Sequence, residues 1–124
     1  MNRWLFIVAG ASLGALCRYG LGAWIAGKLG SNFAYSTWII NLIGSFILGA
    51  FLTLHLDRGL FHPDLRYLVA VGWCASFTTY STFSWETFRF IEEGQFMLAG
   101  LNIALTLVGC LLATWLGIIV GRLA

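Results

Sequence analysis

Charge is scarce in this chain. Of its 124 residues only seven are Lys or Arg and five are Asp or Glu, a charged share of 10% against 60% hydrophobic. A soluble globular domain normally carries about 25% charged residues, so this balance excludes that class. The net charge of +2 rests on too few cations to hold nucleic acid. No carboxylate lies in either of the first two apolar stretches, and Glu86 stands near the end of the third. Proton-coupled pumps and exporters of cationic compounds rely on an embedded Asp or Glu. Their chemistry has no anchor here, which points to a passive path and away from cations as cargo. Proline occurs once, as Pro63, in a polar connection with Asp57, Arg58, His62, Asp64 and Arg66. The three cysteines, Cys17, Cys74 and Cys110, all fall in apolar stretches, as small packing residues rather than a disulfide network. His55 and His62 have no metal-ligand spacing with a cysteine or another histidine, which excludes a zinc site. With no nucleophile–base pair either, the chain is not expected to be an enzyme.

Apolar length is what the chain does have. A helix needs about 20 mostly apolar residues to cross a bilayer. Four such spans are expected, at 4–26, 35–55, 67–90 and 96–120, and they use nearly everything. The expected fold is an all-α membrane protein, one transmembrane domain over 1–124. Arg3, an apolar run and Ala11-Ser-Leu-Gly-Ala15 imitate a signal peptide, but the run continues to Ala26 and three spans follow. An uncleaved first helix is the expectation.

The stretch 72–84, Gly-Trp-Cys-Ala-Ser-Phe-Thr-Thr-Tyr-Ser-Thr-Phe-Ser, does not read as a lipid-facing helix. Seven of its last nine residues carry a hydroxyl, and Phe77, Tyr80 and Phe83 recur every three residues. Ser and Thr compete for backbone hydrogen bonds, and adjacent β-branched Thr form helix poorly. Non-helical backbone at membrane depth persists only where it is buried in protein or lines an aqueous path. A break in the third helix is therefore expected, and the break is the expected working site.

Other polar residues form lines. Thr37, Asn41 and Ser45 are four apart on the second span, as are Asn102, Thr106, Cys110 and Thr114 on the fourth. Each line is either a helix-packing seam or the wall of a polar path. Asn41 offers two amide donors to an anion or to a carbonyl. Arg18, inside the first span, is either functional or reaches to the interface beside Tyr19. Gly10 and Gly14 suit close helix packing. Glu86 and Arg89 are spaced to pair locally. Arg3, Arg58, Arg66 and Arg122 fall on one side of four spans, and Lys28 and Arg89 on the other. If Arg18 reaches the second side there is almost no positive-inside bias, which permits insertion both ways round and an antiparallel dimer. Neutral donors together with aromatic edges, which are positive where ring faces are negative, suit a small anion that must leave as easily as it enters.

The order Gly10-xxx-Gly14-Ala-xx-Arg18-Tyr19, then Asn41-xx-Gly44-Ser-Phe-xx-Gly49, then Gly72-x-Cys-xxx-Thr78-Thr-Tyr-Ser-Thr82-Phe83-Ser-x-Glu86 closely resembles the Fluc (CrcB) fluoride channel family. The likeness covers the whole chain, and its third segment is the specific one. It implies a dual-topology, antiparallel homodimer in a prokaryotic inner membrane, with two pores that let fluoride leave the cell and reduce its toxicity. It implies a structural sodium ion at the dimer centre, held by the backbone carbonyls of Ala75 and Thr78. Asn41 is implied as the pore-lining amide, and Tyr80 and Phe83 as the two positions of a phenylalanine pair. Thr37 joins the pore on the second span, Thr106, Cys110 and Thr114 make its polar track, and Arg18 stands at its entrance. The chain departs from that family at Tyr80, at Ala75-Ser76 in place of two glycines, and at Cys110 in place of a serine. Two other readings remain, a small dual-topology exporter of cationic compounds and a non-conducting subunit of a heterodimer.

Overall fold

The computed structural model describes residues 2–124, all helix and connection with no strand among them. The first helix, α1 (Arg3–Leu29), begins under an Asn2 cap whose side chain accepts from the Trp4 N–H at 3.0 Å. It ends at Gly30, whose φ of 78° is the left-handed conformation that glycine adopts without steric cost. Its 27 residues give a rod of about 40 Å. The second helix, α2 (Tyr35–Leu52), continues through a widened π-type segment, Thr53–Asp57. The last, α5 (Phe96–Leu123), is 28 residues long. Arg3–Leu29, Tyr35–Asp57 and Phe96–Leu123 are each long and apolar enough to cross a membrane. The expected spans 4–26, 35–55 and 96–120 fall within them.

The stretch 67–90 is not one helix. Widened turns at Tyr67–Cys74 run into a last α turn, Ala75–Phe77, and together these residues, 67–77, form α3. Thr78, with ψ of 158°, and Thr79, with φ of −149°, are extended. A new helix, α4 (Tyr80–Glu92), then starts, and the Thr79 side chain caps it by accepting from the Thr82 N–H at 3.3 Å. Thr79 is well suited to the job: its β-branch favours extended backbone and its hydroxyl satisfies a helix-start donor. The break expected within the hydroxyl-rich stretch therefore falls on the paired threonines.

Glycines set how closely the helices approach. α1 crosses α3 with Gly10 against the Leu68 carbonyl and Gly14 against the Trp73 carbonyl. From the other side, a Cβ on Gly72 would lie 2.9 Å from the Ile7 oxygen. α5 meets α2 in the same way, where a Cβ on Gly49 would lie 2.5 Å from the Thr114 carbonyl. Backbone-to-backbone contact of this kind holds helices together where lipid removes most of the hydrophobic gain from association.

Two small apolar cores support the break. Ile25, Ile40 and Phe77 form one, with Trp73 stacked on Phe77 at 4.5 Å, so the end of α3 is pinned just before the chain opens. Phe33, Ala34, Phe90 and Ala99 form the other, behind α4. α5 buries only Ala99, Asn102, Gly117 and Gly121, and Leu107, Leu111 and Trp115 stand more than half exposed. A helix this apolar and this bare needs lipid or another protein surface around it.

The polar ends are also ordered. Arg58 donates to the Arg122 carbonyl at 2.9 Å, and Arg3 lies 5.9 Å from the centre of the Tyr67 ring. This places the N-terminus of α1, the 58–66 connection and the C-terminus of α5 at one end. Glu86 and Arg89 do not pair. Arg89 turns outward to Glu93 at 2.9 Å and Glu92 at 3.5 Å, while Glu86 turns inward and accepts from the Thr37 hydroxyl. The i,i+4 partner and a donor on a facing helix win over the expected i,i+3 contact. Cys17, Cys74 and Cys110 are all free thiols, and the described residues contain no cluster of three metal-ligating side chains.

Candidate functional site

The break is held open from outside by one side chain. Asn41, on the buried face of α2, donates from Nδ2 to the Thr79 carbonyl at 3.1 Å and accepts from the Thr79 N–H on Oδ1 at 2.8 Å. The amide thus replaces the backbone partners that a continuous helix would have given Thr79. It leaves one Nδ2 proton free, since an Asn amide has two.

This clamp releases carbonyls elsewhere. In an unbroken helix the N–H of Thr79 would serve Ala75 and that of Thr82 would serve Thr78. Here the Thr79 N–H goes to Asn41 and the Thr82 N–H to the Thr79 hydroxyl, at 2.8 Å and 3.3 Å. The carbonyls of Ala75 and Thr78 lose those donors to side chains. Neither Ala75 nor Ser76 has a positive φ, so their Cβ groups fit this backbone without strain.

Beside the break lies a groove of about 620 Å³. Asn41, Tyr80, Phe83, Thr106, Cys110 and Thr114 all line it, and Ala75 and Thr78 border the same space. No ionised side chain faces it. Tyr80 and Phe83 meet edge to face, with centroids 5.5 Å apart and planes at 62°. Tyr80 is 80% exposed, so the groove is open on its side. The Thr106 hydroxyl oxygen is buried and has no hydrogen-bond partner. Cys110 supplies only a weak donor. Thr114 directs its hydroxyl to the Ser45 carbonyl at 3.4 Å.

Thr37 and Arg18 do not line this groove. They border a second cleft of about 270 Å³, together with Thr79 and Thr82. Thr79 is common to both spaces. A third cleft, about 480 Å³, shares Thr37 and Thr82 with the second and ends among Glu86, Arg89 and Glu93. The polar line on α5 also divides. Thr106, Cys110 and Thr114 face the groove, but Asn102 turns to α4, donates to the Thr87 hydroxyl at 2.9 Å and is only 1% exposed.

Thr79 is the residue that sequence reasoning left without a role, although it caps α4, receives Asn41 and joins two clefts. Its position three residues before Thr82, at the start of an amphipathic run, was the available signal. The Thr37–Glu86 contact joins residues 49 apart and carries no local signal. Chemically, the groove offers neutral donors and two aromatic rings set among apolar side chains such as Leu48, Ile103, Leu107 and Leu111, and no ionised group to trap an ion.

Comparison with known proteins bears on what passes through such a groove. A family model described as CrcB-like protein, Camphor Resistance (CrcB), matches residues 5–118. The chain is 38% identical over 122 residues to a fluoride-specific ion channel FluC of Citrifermentans bemidjiense, covering 98% of both chains. It is 39% identical over 122 residues to the protein of that name from Geotalea daltonii, with 98% of each covered. A third so named, from Sorangium cellulosum, is 44% identical over 122 residues, 98% of this chain and 96% of the relative.

Proposed function

The chain belongs to the CrcB-like protein family, and from that premise we propose that it is a fluoride-selective channel. It is a multi-pass membrane protein of a prokaryote, and fluoride leaves the cell through it passively. The observation that carries this reading is the groove: neutral donors and two aromatic rings among apolar side chains, with no ionised side chain facing it. Asn41, Tyr80, Phe83, Thr106, Cys110 and Thr114 line the proposed pore, and Thr37 and Arg18 stand at its mouth in the adjoining cleft. A dehydrated anion is stabilised in steps by the spare Asn41 proton, the Thr106 hydroxyl and the positive edges of the rings. A full positive charge at the same place would bind tightly and stop the flow.

The single transmembrane domain crosses four times, with α3 and α4 together making the third crossing. Two copies associate antiparallel, so each groove gains the wall that exposed Tyr80 and the bare face of α5 leave missing. The near balance of Arg3, Arg58, Arg66 and Arg122 against Lys28, Arg89 and Arg18 supports insertion in both orientations. The freed carbonyls of Ala75 and Thr78 fit a hard monovalent cation, which takes oxygen ligands. These two carbonyls, with the same pair from a second copy, would hold a structural sodium ion. Bound there, sodium would supply a positive charge beside the backbone at both breaks.

Fluoride efflux from liposomes holding the purified protein is the direct test, run in sodium and in a bulky organic cation. Fluoride flux above empty vesicles, with chloride inert, is expected in sodium, and slower flux without it. No flux in either medium overturns the channel, and equal flux in both removes the sodium. Flux from this chain alone also rules out a subunit that conducts only with a different partner. Tyr80→Phe is expected to keep fluoride flux within about threefold of the unaltered protein, because the ring edge survives and only the hydroxyl is lost.

A further inference from the structure

We propose that Asn102 is a positioning residue that fixes the Phe83 ring from outside the pore; the inference rests on the channel reading. Asn102 is 1% exposed and donates from Nδ2 to the Thr87 hydroxyl at 2.9 Å. Thr87, itself 6% exposed, passes its own proton to the Phe83 carbonyl at 2.8 Å. The relay therefore runs from the core of α5, through α4, to the backbone of the residue whose ring faces the groove. Neither Asn102 nor Thr87 lines that groove.

Three physical points give the relay its direction. A threonine in a helix divides between two side-chain rotamers, one of which bonds the carbonyl four residues back. A donor arriving from Asn102 occupies the Thr87 oxygen and selects that rotamer. With Thr87 locked to the Phe83 carbonyl on its own helix, the Asn102 bond ties this turn of α4 to α5 and so fixes the rotation of the first turns of α4. Those turns begin at an extended break, so they lack the continuous helix that would otherwise set their angle. Phe83 also contacts Tyr80 edge to face at 5.5 Å, and any rotation of α4 moves both rings against the path together.

A buried amide–hydroxyl pair between two helices is also ordinary packing glue, so the test must separate position from stability. Three variants serve: Asn102→Leu, Thr87→Val, and the two combined. Thr87→Val leaves the buried Asn102 amide without its partner and Asn102→Leu sets hydrocarbon against the Thr87 oxygen, so each single change is expected to lower the melting temperature of the purified protein. The double variant replaces both partners with apolar groups of similar size, which is often close to neutral. Its melting temperature is expected to return towards that of the unaltered protein. Single-channel fluoride current in planar bilayers is the second readout, because unitary current does not depend on how much protein folds. All three variants are expected to pass about tenfold less unitary current, within the range for residues acting through a packed network. Unitary current that recovers with stability in the double variant, or never falls, overturns the proposal. An unaltered protein with no fluoride current overturns the channel reading first, which keeps the two failures distinct.

Discussion

Replacing Phe83 by Ile is expected to reduce fluoride flux to that of empty vesicles while leaving the protein folded and assembled. Phe83 is half-buried at the groove wall, and its ring meets Tyr80 edge to face at 5.5 Å. Isoleucine retains most of the apolar volume, and swaps of this kind in packed sites usually cost under about 1.5 kcal/mol. The electrostatics change completely. An aromatic ring presents a positive edge beside a negative face, and a branched alkyl group presents neither. An anion stripped of water at this point would meet hydrocarbon, and burying an unpaired charge is prohibitively unfavourable. The measurement is efflux from liposomes at matched protein density, with gel filtration to follow assembly. Flux at the unaltered level would remove the ring from the mechanism and return the burden to the hydroxyls of α5.

Much of this architecture was legible in the chain, for identifiable reasons. Long apolar runs mark helices in a membrane because every backbone polar group there must find a partner inside its own segment. The place where that rule fails was legible too. Paired Thr78-Thr79 amid serine and aromatic residues cannot satisfy it as helix, and the chain opens at those two residues. Four-residue spacing put Asn41 with Ser45, and Thr106 with Cys110 and Thr114, and these residues border one groove, whereas Thr37, a turn before Asn41, borders the adjoining clefts instead. What spacing cannot reveal is the rotation of one helix against the next. Asn102 is in step with Thr106 yet turns to Thr87, since it lies opposite α4 rather than opposite the groove. Glu86 bypasses Arg89 for Thr37 on another helix, a contact set by how α4 packs against α2. The Asn41 amide could serve an anion or a carbonyl as far as its spacing shows, and the structure bonds it twice to the Thr79 backbone.

That double bond makes Asn41→Ala the second substitution with a large expected effect, on stability and on flux together. Alanine removes both the acceptor for the Thr79 N–H and the donor for the Thr79 carbonyl. An unmet backbone group in a buried place costs about 1–3 kcal/mol, and two are exposed to that cost here. Water in the groove will serve the carbonyl in part, so a loss of about 2–4 kcal/mol is expected rather than the full sum. Without the clamp, the Thr79 N–H is free to return to the Ala75 carbonyl, which would begin to close the break and withdraw an oxygen from the proposed cation site. Flux should fall to background, and the melting temperature should lose its response to added sodium. Asn41→Asp sharpens the test. It keeps an acceptor for the Thr79 N–H, loses the donor, and sets a negative charge beside an anion path. Its stability should lie between those of alanine and asparagine, yet its flux should be as low as alanine's. If Asn41→Ala abolishes flux with an unchanged melting temperature, the amide acts only on the ion and the clamp is not what holds the break. If stability and sodium response fall with flux, one side chain both props the helix open and serves the ion that passes it.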